Sequence, residues 1–282
     1  MKIAVFGDFI IDVYNFYSSE KLTPEANVPI LKLKETKSYP GGAYLVASLL
    51  NDEDFEVDFY TNVGEEKYTT LNPEICVIDA EIESNTTIKQ RVILEGKYLH
   101  RVDKDIIIEM SKVNSDALID KFQTNIESYS AVVFADYNKG ILNDYLASRV
   151  KKISNERNIP TFLDPKPENN INLNDWTFIK PNLPEAVKIT GSSNLNEITN
   201  FFEKKLQAGL FLTLGKDGCL LSNKGKTYFQ KPHSLDYIDL SGCGDAAFSG
   251  LIKGVLKNQD ETQIIKVAMK ESAKVMKQFG PW

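Results

Sequence analysis

A chain of 282 residues can bury one large core or two modest ones, and its 42% hydrophobic and 26% charged residues are ordinary for a soluble globular protein. A formal net charge of −6 without a dense Lys/Arg stripe argues against a nucleic-acid surface, and the widely spaced Cys76, Cys219 and Cys243 form neither a disulfide framework nor a zinc pattern. No apolar run is long enough to span a membrane, and the opening Met-Lys-Ile-Ala-Val-Phe-Gly-Asp reads as a strand and a turn rather than a signal peptide, so a cytoplasmic protein is expected.

Ile3 to Phe6 is a continuous apolar run closed by Gly7-Asp8, which suits a buried parallel strand. Asp12 lies just beyond. The carboxyl ends of strands are where open α/β sheets bind ligands, so Asp12 is either a sugar-hydroxyl ligand or a turn residue. Val28 to Leu33 and Ile88 to Arg101 read as strands, the second folded at Glu95-Gly96-Lys97. They break the βαβ rhythm and are expected in a small accessory sheet over the main body. Tyr39-Pro40-Gly41-Gly42 is expected to be a turn into a helix over Ala43 to Leu50, its glycines allowing close approach of a ligand. Phe55 to Val63 is a further strand. Glu65 to Asn85 is hard to read, with one short strand expected at Ile75 to Ile78.

The second half is regular. Strands are expected at Ala131 to Ala135, Thr161 to Leu163, Thr177 to Ile179 and Leu210 to Leu214. Helices are expected at Leu142 to Asn158, Leu183 to Thr190 (closed by Gly191), Leu195 to Leu206 and Thr262 to Lys277. Cys219 to Tyr228 reads as a hairpin turning at Asn223-Lys224-Gly225. Alternation of this kind predicts an α/β fold, a doubly wound sheet with helices on both faces. Polar residues recur just past strand ends: Asp136 and Lys139, Asp164 and Lys166, Lys180 and Asn182, Thr213 and Gly215. In a parallel sheet those ends line one edge, so these residues can converge on one cleft.

Asp239 to Gly250 carries the strongest chemistry. Gly242-Cys243-Gly244-Asp245 opens an apolar helix, and unpartnered N–H groups at a helix start bind anions such as phosphate. Asp245 is then either an ordinary first-turn acid or a base that accepts a proton from an attacking hydroxyl. Asn182-Leu183-Pro184-Glu185 is either a helix-capping box or a pair serving phosphate and a hydrated Mg²⁺. His100 and His233 are the only histidines and have no ligand-spaced partners, no Ser-His-acid arrangement is legible, and neither the Walker pattern nor Gly-x-Gly-x-x-Gly is present.

Asp239-Leu240-Ser241-Gly242-Cys243-Gly244-Asp245 resembles the C-terminal signature of the ribokinase-like carbohydrate kinases, the phosphofructokinase-B family. Gly41-Gly42 before a helix resembles their N-terminal signature, and Asn182 to Glu185 their Asn-x-x-Glu motif. Four stretches resemble the heptose-7-phosphate kinase subgroup: Gly7-Asp8 through Tyr14, Leu22 to Pro29, Tyr39 to Ala43, and Asp136-Tyr137-Asn138-Lys139-Gly140. The resemblance implies a single ribokinase-like domain over 1–282, with lid strands within about 13–35 and 86–103 that pair two subunits into a homodimer.

It implies ATP and Mg²⁺ as cofactors, with K⁺ as a further candidate, and a small sugar phosphate as partner. The acceptor would be the anomeric hydroxyl of D-glycero-D-manno-heptose 7-phosphate. By the same resemblance Asp245 would be the base, and Gly242, Cys243 and Gly244 the anion hole. Asp12, Gly41 and Gly42 would hold the sugar, joined by Asp136 and Lys139. Lys89, Arg91 and Arg101 would clamp an anionic substrate group or be solvated strand faces. Lys180, Asn182, Thr213, Gly215 and Gly218 would serve the nucleotide, and Glu185 the metal.

Leu45 stands where the family usually has an Asn that reaches the sugar, which leaves open another sugar or a silent sugar-phosphate sensor. Glu65 to Asn85 looks trimmed, and Gly280-Pro281-Trp282 ends the sequence where the family normally continues, so part of the adenine pocket is expected to be either missing or formed differently. No nucleotidyltransferase domain follows, so the kinase step alone is expected.

Overall fold

Strand β1 (Lys2–Gly7) explains the architecture. It has no polar side chain between Ile3 and Phe6, so both its faces need cover. Ile3 and Val5 enter one apolar cluster and Ala4 and Phe6 the other, on opposite sides of the same sheet. The computed structural model describes residues 1–64, 71–232 and 237–280.

In chain order β1 is followed by β2 (Phe9–Ser18), β3 (Lys32–Gly42), α1 (Ala43–Leu50), β4 (Glu56–Thr61), β5 (Cys76–Asp79), β6 (Thr87–Leu94), β7 (Lys97–Lys104) and α2 (Lys112–Asn125). Then come β8 (Tyr129–Ala135), α3 (Asp144–Asn155), β9 (Thr161–Asp164), β10 (Phe178–Ile179), α4 (Leu183–Thr190), α5 (Leu195–Asn200), β11 (Gly209–Thr213), β12 (Cys219–Asn223), β13 (Lys226–Gln230), α6 (Cys243–Leu256) and α7 (Glu261–Val275). A nine-stranded sheet runs β13-β12-β11-β10-β9-β8-β1-β4-β5, and a separate four-stranded sheet runs β3-β2-β6-β7. From β5 to β11 all neighbours are parallel, while β12 and β13 close the sheet as an antiparallel hairpin. Buried residues of α1, α6 and α7 cover one face, and those of α2, α3, α4 and α5 the other. This is the expected α/β architecture, a mostly parallel sheet with helices on both faces and a small accessory sheet.

The chain departs from β1 toward β4 on one side and β8 on the other. The carboxyl ends of β1, β8, β9 and β10 therefore border the crevice where such sheets bind ligands. No helix among the described residues is long and apolar enough to cross a membrane.

Two expectations are corrected, and one helix is added. The strand placed at Val28 to Leu33 begins only at Lys32 and runs on to Gly42, because its length is set by pairing with β2, from Phe9↔Gly42 to Ser18↔Lys32. Before it, only an isolated Leu22↔Pro29 bridge forms. The turn expected at Tyr39 to Gly42 is the end of that strand, and Pro40 is tolerated because β3 is an edge strand without a partner for the missing N–H. Helix α2 was not foreseen. Of its 14 residues only Ser115, Leu118, Ile119 and Phe122 are buried, too few for a clear apolar stripe.

Both hairpins stand where expected: Glu95-Gly96 and Lys224-Gly225 have φ of 49° and 76°, and of 51° and 75°. Residues 65–70 of the hard-to-read stretch, His233, and Pro281-Trp282 of the expected end lie outside the described residues.

Candidate active site

The loop before α6 has the form of an anion site. Gly242 caps the helix with φ 79°, in the left-handed region that favours glycine. The first turn has no intrahelical acceptors for its N–H groups, although Cys243 N–H also donates to Leu240 O at 3.3 Å. A Cβ on Gly244 would lie 3.5 Å from Lys180 Nζ, so glycine here keeps the loop open beside an ammonium. That ammonium also pairs with Asp164 Oδ2 at 2.8 Å and lies 5.7 Å from the centre of the Phe248 ring. Positive charge and free N–H groups thus meet at one helix start.

Asp245 sits in the first turn of α6 and accepts a hydrogen bond at Oδ1 from the Tyr137 hydroxyl. Burial pushes its carboxyl up to about 6. The Tyr137 hydrogen bond and the lysines Lys180 and Lys166 work against that rise, while Asp164 adds to it. Near neutrality Asp245 is ionised yet basic enough to take a proton.

Below the loop lies a mixed-charge cluster. Lys166 Nζ pairs with Glu185 Oε1. Burial works to lower the Lys166 ammonium, but Asp164 and Glu185 more than offset it and the net shift is upward. Asn182 and Glu185 form a capping box: Glu185 N–H donates to Asn182 Oδ1 at 2.9 Å, and Asn182 N–H to Glu185 Oε2 at 2.8 Å. Both oxygens of the expected metal ligand are therefore engaged in the protein. Asp164 is 7% exposed and its Oδ1 is buried without a hydrogen-bond partner. Burial pushes this carboxyl up, against the pull of Lys180 and Lys166. Among the described residues no group of three or more His, Cys, Asp or Glu could enclose a metal. An unpartnered carboxylate oxygen beside a second carboxylate fits Mg²⁺, which keeps most of its waters and needs few protein ligands.

On the accessory sheet Asp12 is paired with Arg91, whose guanidinium also lies 4.9 Å from the centre of the Tyr14 ring. A Cβ at Gly41 would fall 1.9 Å from Asp12 Oδ2, and one at Gly42 (φ 62°) 2.5 Å from Asp8 O. These glycines make room for the protein's own carboxylate and carbonyl. Lys89 pairs in register with Asp12, and its ammonium lies 5.3 Å from the centre of the Tyr137 ring. Burial lowers its pKa, and among the described residues no ion pair is recorded for it. Arg101 is exposed, donates from Nε to Asp103 Oδ1 at 3.0 Å, and lines a 550 Å³ cleft with Tyr98, His100 and residues 237–241.

Asp136 and Lys139 are less available. Burial raises Asp136 to about 7, and its carboxylate accepts from Asn138 N–H, Lys166 N–H and Asn169 Nδ2. Lys139 Nζ pairs with Asp105 at 2.8 Å. Leu45 is 3% exposed, so no polar group stands in for the missing Asn at that position.

Of the residues expected to serve the nucleotide, Thr213 forms a parallel bridge with Asn182. A Cβ on Gly215 (φ 59°) would meet open space, whereas one on Gly218 would lie 2.1 Å from Gln230 O, so Gly218 is required by packing against the strand end. Three residues to which the sequence assigned no individual role join the site: Tyr137, Asp164 and Lys166. The polar positions past strand ends were the available signal for the last two.

A family model described as pfkB family carbohydrate kinase matches residues 1–281. The bifunctional protein HldE of Helicobacter pylori (strain HPAG1) is 27% identical over 293 residues, covering 99% of this chain and 63% of the relative. Bifunctional protein HldE of Pasteurella multocida (strain Pm70) is 27% identical over 270 residues, covering 90% of this chain and 55% of the relative. The chain thus spans less than two thirds of the length of these curated relatives. Among solved structures, phosphofructokinase-2 from Escherichia coli in complex with substrates and products aligns with a TM-score of 0.78 at 14% identity, over 98% of this chain and 93% of that one. At that identity the likeness shows the fold.

Proposed function

Because the chain belongs to the pfkB family of carbohydrate kinases, we propose that residues 1–282 act as one kinase unit on a phosphorylated sugar. The acceptor is the anomeric hydroxyl of a heptose 7-phosphate, and the donor is Mg²⁺·ATP. The observation that carries the chemistry is Asp245, a carboxylate raised to about 6 in the first turn of α6, with Lys180 beside the loop. Asp245 accepts the proton of the sugar hydroxyl as its oxygen bonds to the γ-phosphorus, and the bond to the ADP oxygen breaks. The free N–H groups of the loop and Lys180 take the negative charge of the transferring group. Asn182 Nδ2 and the loop after Thr213 serve the nucleotide. Glu185 and Asp164 would hold Mg²⁺, which when bound offsets the phosphate charge.

The cationic side chains support a substrate that already carries phosphate. Arg91 is matched by Asp12, but Lys89 and the guanidinium end of Arg101 are available to an anion. The subgroup motifs and the HldE relatives support a heptose. The buried Leu45 favours a second reading, a kinase of another sugar, because a hydroxyl facing it would lack a partner. Exposed Leu33 and Val102 on the accessory sheet support a homodimer formed through that lid. An ATP-dependent reaction agrees with the expected cytoplasmic location.

ADP release with Mg²⁺·ATP, with and without K⁺, over a panel of free and phosphorylated sugars tests this reading. Turnover is expected on heptose 7-phosphate, and Asp245→Asn should lower kcat by about 10²- to 10⁴-fold. Turnover confined to another sugar would retain the kinase and discard the heptose.

A further inference from the structure

Tyr137 joins the proposed base to the sugar side of the cleft. It sits in the loop after β8, and that loop is held hard. Its own N–H donates to Asp8 Oδ2 at 3.0 Å, Lys139 N–H to the same oxygen at 3.1 Å, and Ile141 N–H to Asp8 Oδ1 at 3.0 Å. Asp8 is 1% exposed and lies directly between β1 and β2. From this anchored loop the tyrosine hydroxyl reaches Asp245 Oδ1, and the Lys89 ammonium covers its ring. Burial and the nearby carboxylates Asp245, Asp164 and Asp12 push the phenol well above its ordinary value, so it stays a donor.

The last torsion of an aspartate side chain is broad and nearly two-fold, so a carboxylate held only by its own backbone swings. Fixing one oxygen fixes the direction of the other. Among the described residues no other side chain is recorded donating to the Asp245 carboxylate, the Ser249 hydroxyl going to its backbone carbonyl at 3.0 Å. We propose that Tyr137 is a positioning residue for phosphoryl transfer: its hydroxyl holds Oδ1 of Asp245 so that Oδ2 faces the sugar hydroxyl. The ring, wedged between the Asp8-bound loop and Lys89, makes that hold rigid. Near-attack geometry is sensitive to misplacement of this kind, and the loss falls on the chemical step rather than on binding.

The proposal rests on Asp245 as the base, and a double-mutant cycle separates the two. Tyr137→Phe keeps the ring and removes only the hydroxyl, so it should stay folded, its unfolding midpoint lowered by no more than the loss of one hydrogen bond. Its kcat should fall about 10-fold, the worth of a hydrogen bond to a charged group, with KM for sugar and ATP within about two-fold. Single-turnover rates of Asp245→Asn and of the double variant should be equal, because Tyr137 then has no base to position. The Tyr137 proposal is overturned if Tyr137→Phe keeps wild-type kcat, if the loss appears in KM, or if the two losses multiply. If Asp245→Asn itself turns over like wild type, the base assignment fails first, and Tyr137 falls with it.

Discussion

Asp245 shows how little of a functional group is set by its own residue type. Burial raises its carboxyl, while Tyr137, Lys180 and Lys166 pull it back, leaving it at about 6. A base works in its ionised form, so activity is present above that value and lost below it. The free-enzyme quantity kcat/KM should fall about tenfold per pH unit on the acid side. A profile from about pH 5 to 8 with no bend near 6 would remove Asp245 from this role. The motif around Asp245 could be read in the sequence because its parts are consecutive. Tyr137 could not, because it meets Asp245 across 108 residues, and no local pattern encodes that meeting. Gly41 and Gly42 were legible as glycines with a purpose, but it was not legible that a Cβ at either would meet Asp12 or the Asp8 carbonyl.

At the level of elements, what was legible had local punctuation. The hairpins carry turn residues with positive φ, and α4 carries Asn182, Glu185 and Gly191 at its ends. Strand β2 has no such mark, because polar Asp12 and Asn15 interrupt its apolar run, and its pairing with both β3 and β6 is long-range. The same pairing makes Gly41 intolerant. Strand β3 cannot yield without breaking register with β2, so the new methyl of Gly41→Ala must displace the Asp12 carboxylate from Arg91. Denaturant unfolding should show a loss of about 1–3 kcal/mol, and KM for the sugar should rise. Wild-type stability in that variant would mean that Asp12 moves without penalty.

At the level of the molecule, one carboxylate ties the accessory sheet to the loop before α6 and the segment after α7. Asp239 is 3% exposed, and it accepts from Tyr14 on β2 at 3.2 Å, Tyr98 on β7 at 2.7 Å, Gly280 N–H at 3.0 Å and Ser241 N–H at 2.8 Å. Phe279 adds edge contacts to Phe16 and Tyr98, each at 5.7 Å between ring centres. Asp239→Ala leaves four donors without their acceptor and should lower stability by about 2–4 kcal/mol in equilibrium unfolding, whereas an unchanged midpoint would show that the accessory sheet is held against these segments by other contacts. This joint leaves the accessory sheet its other attachment, at the base: β2 follows β1 after Asp8 alone. Asp8 therefore serves as a fulcrum. Its long arm is β2, which carries Asp12, and its short arm is the carboxylate gripping the 137–141 loop. A tilt of β2 about Asp8 would be passed to the loop that carries Tyr137, so one residue couples the accessory sheet to the surroundings of Asp245.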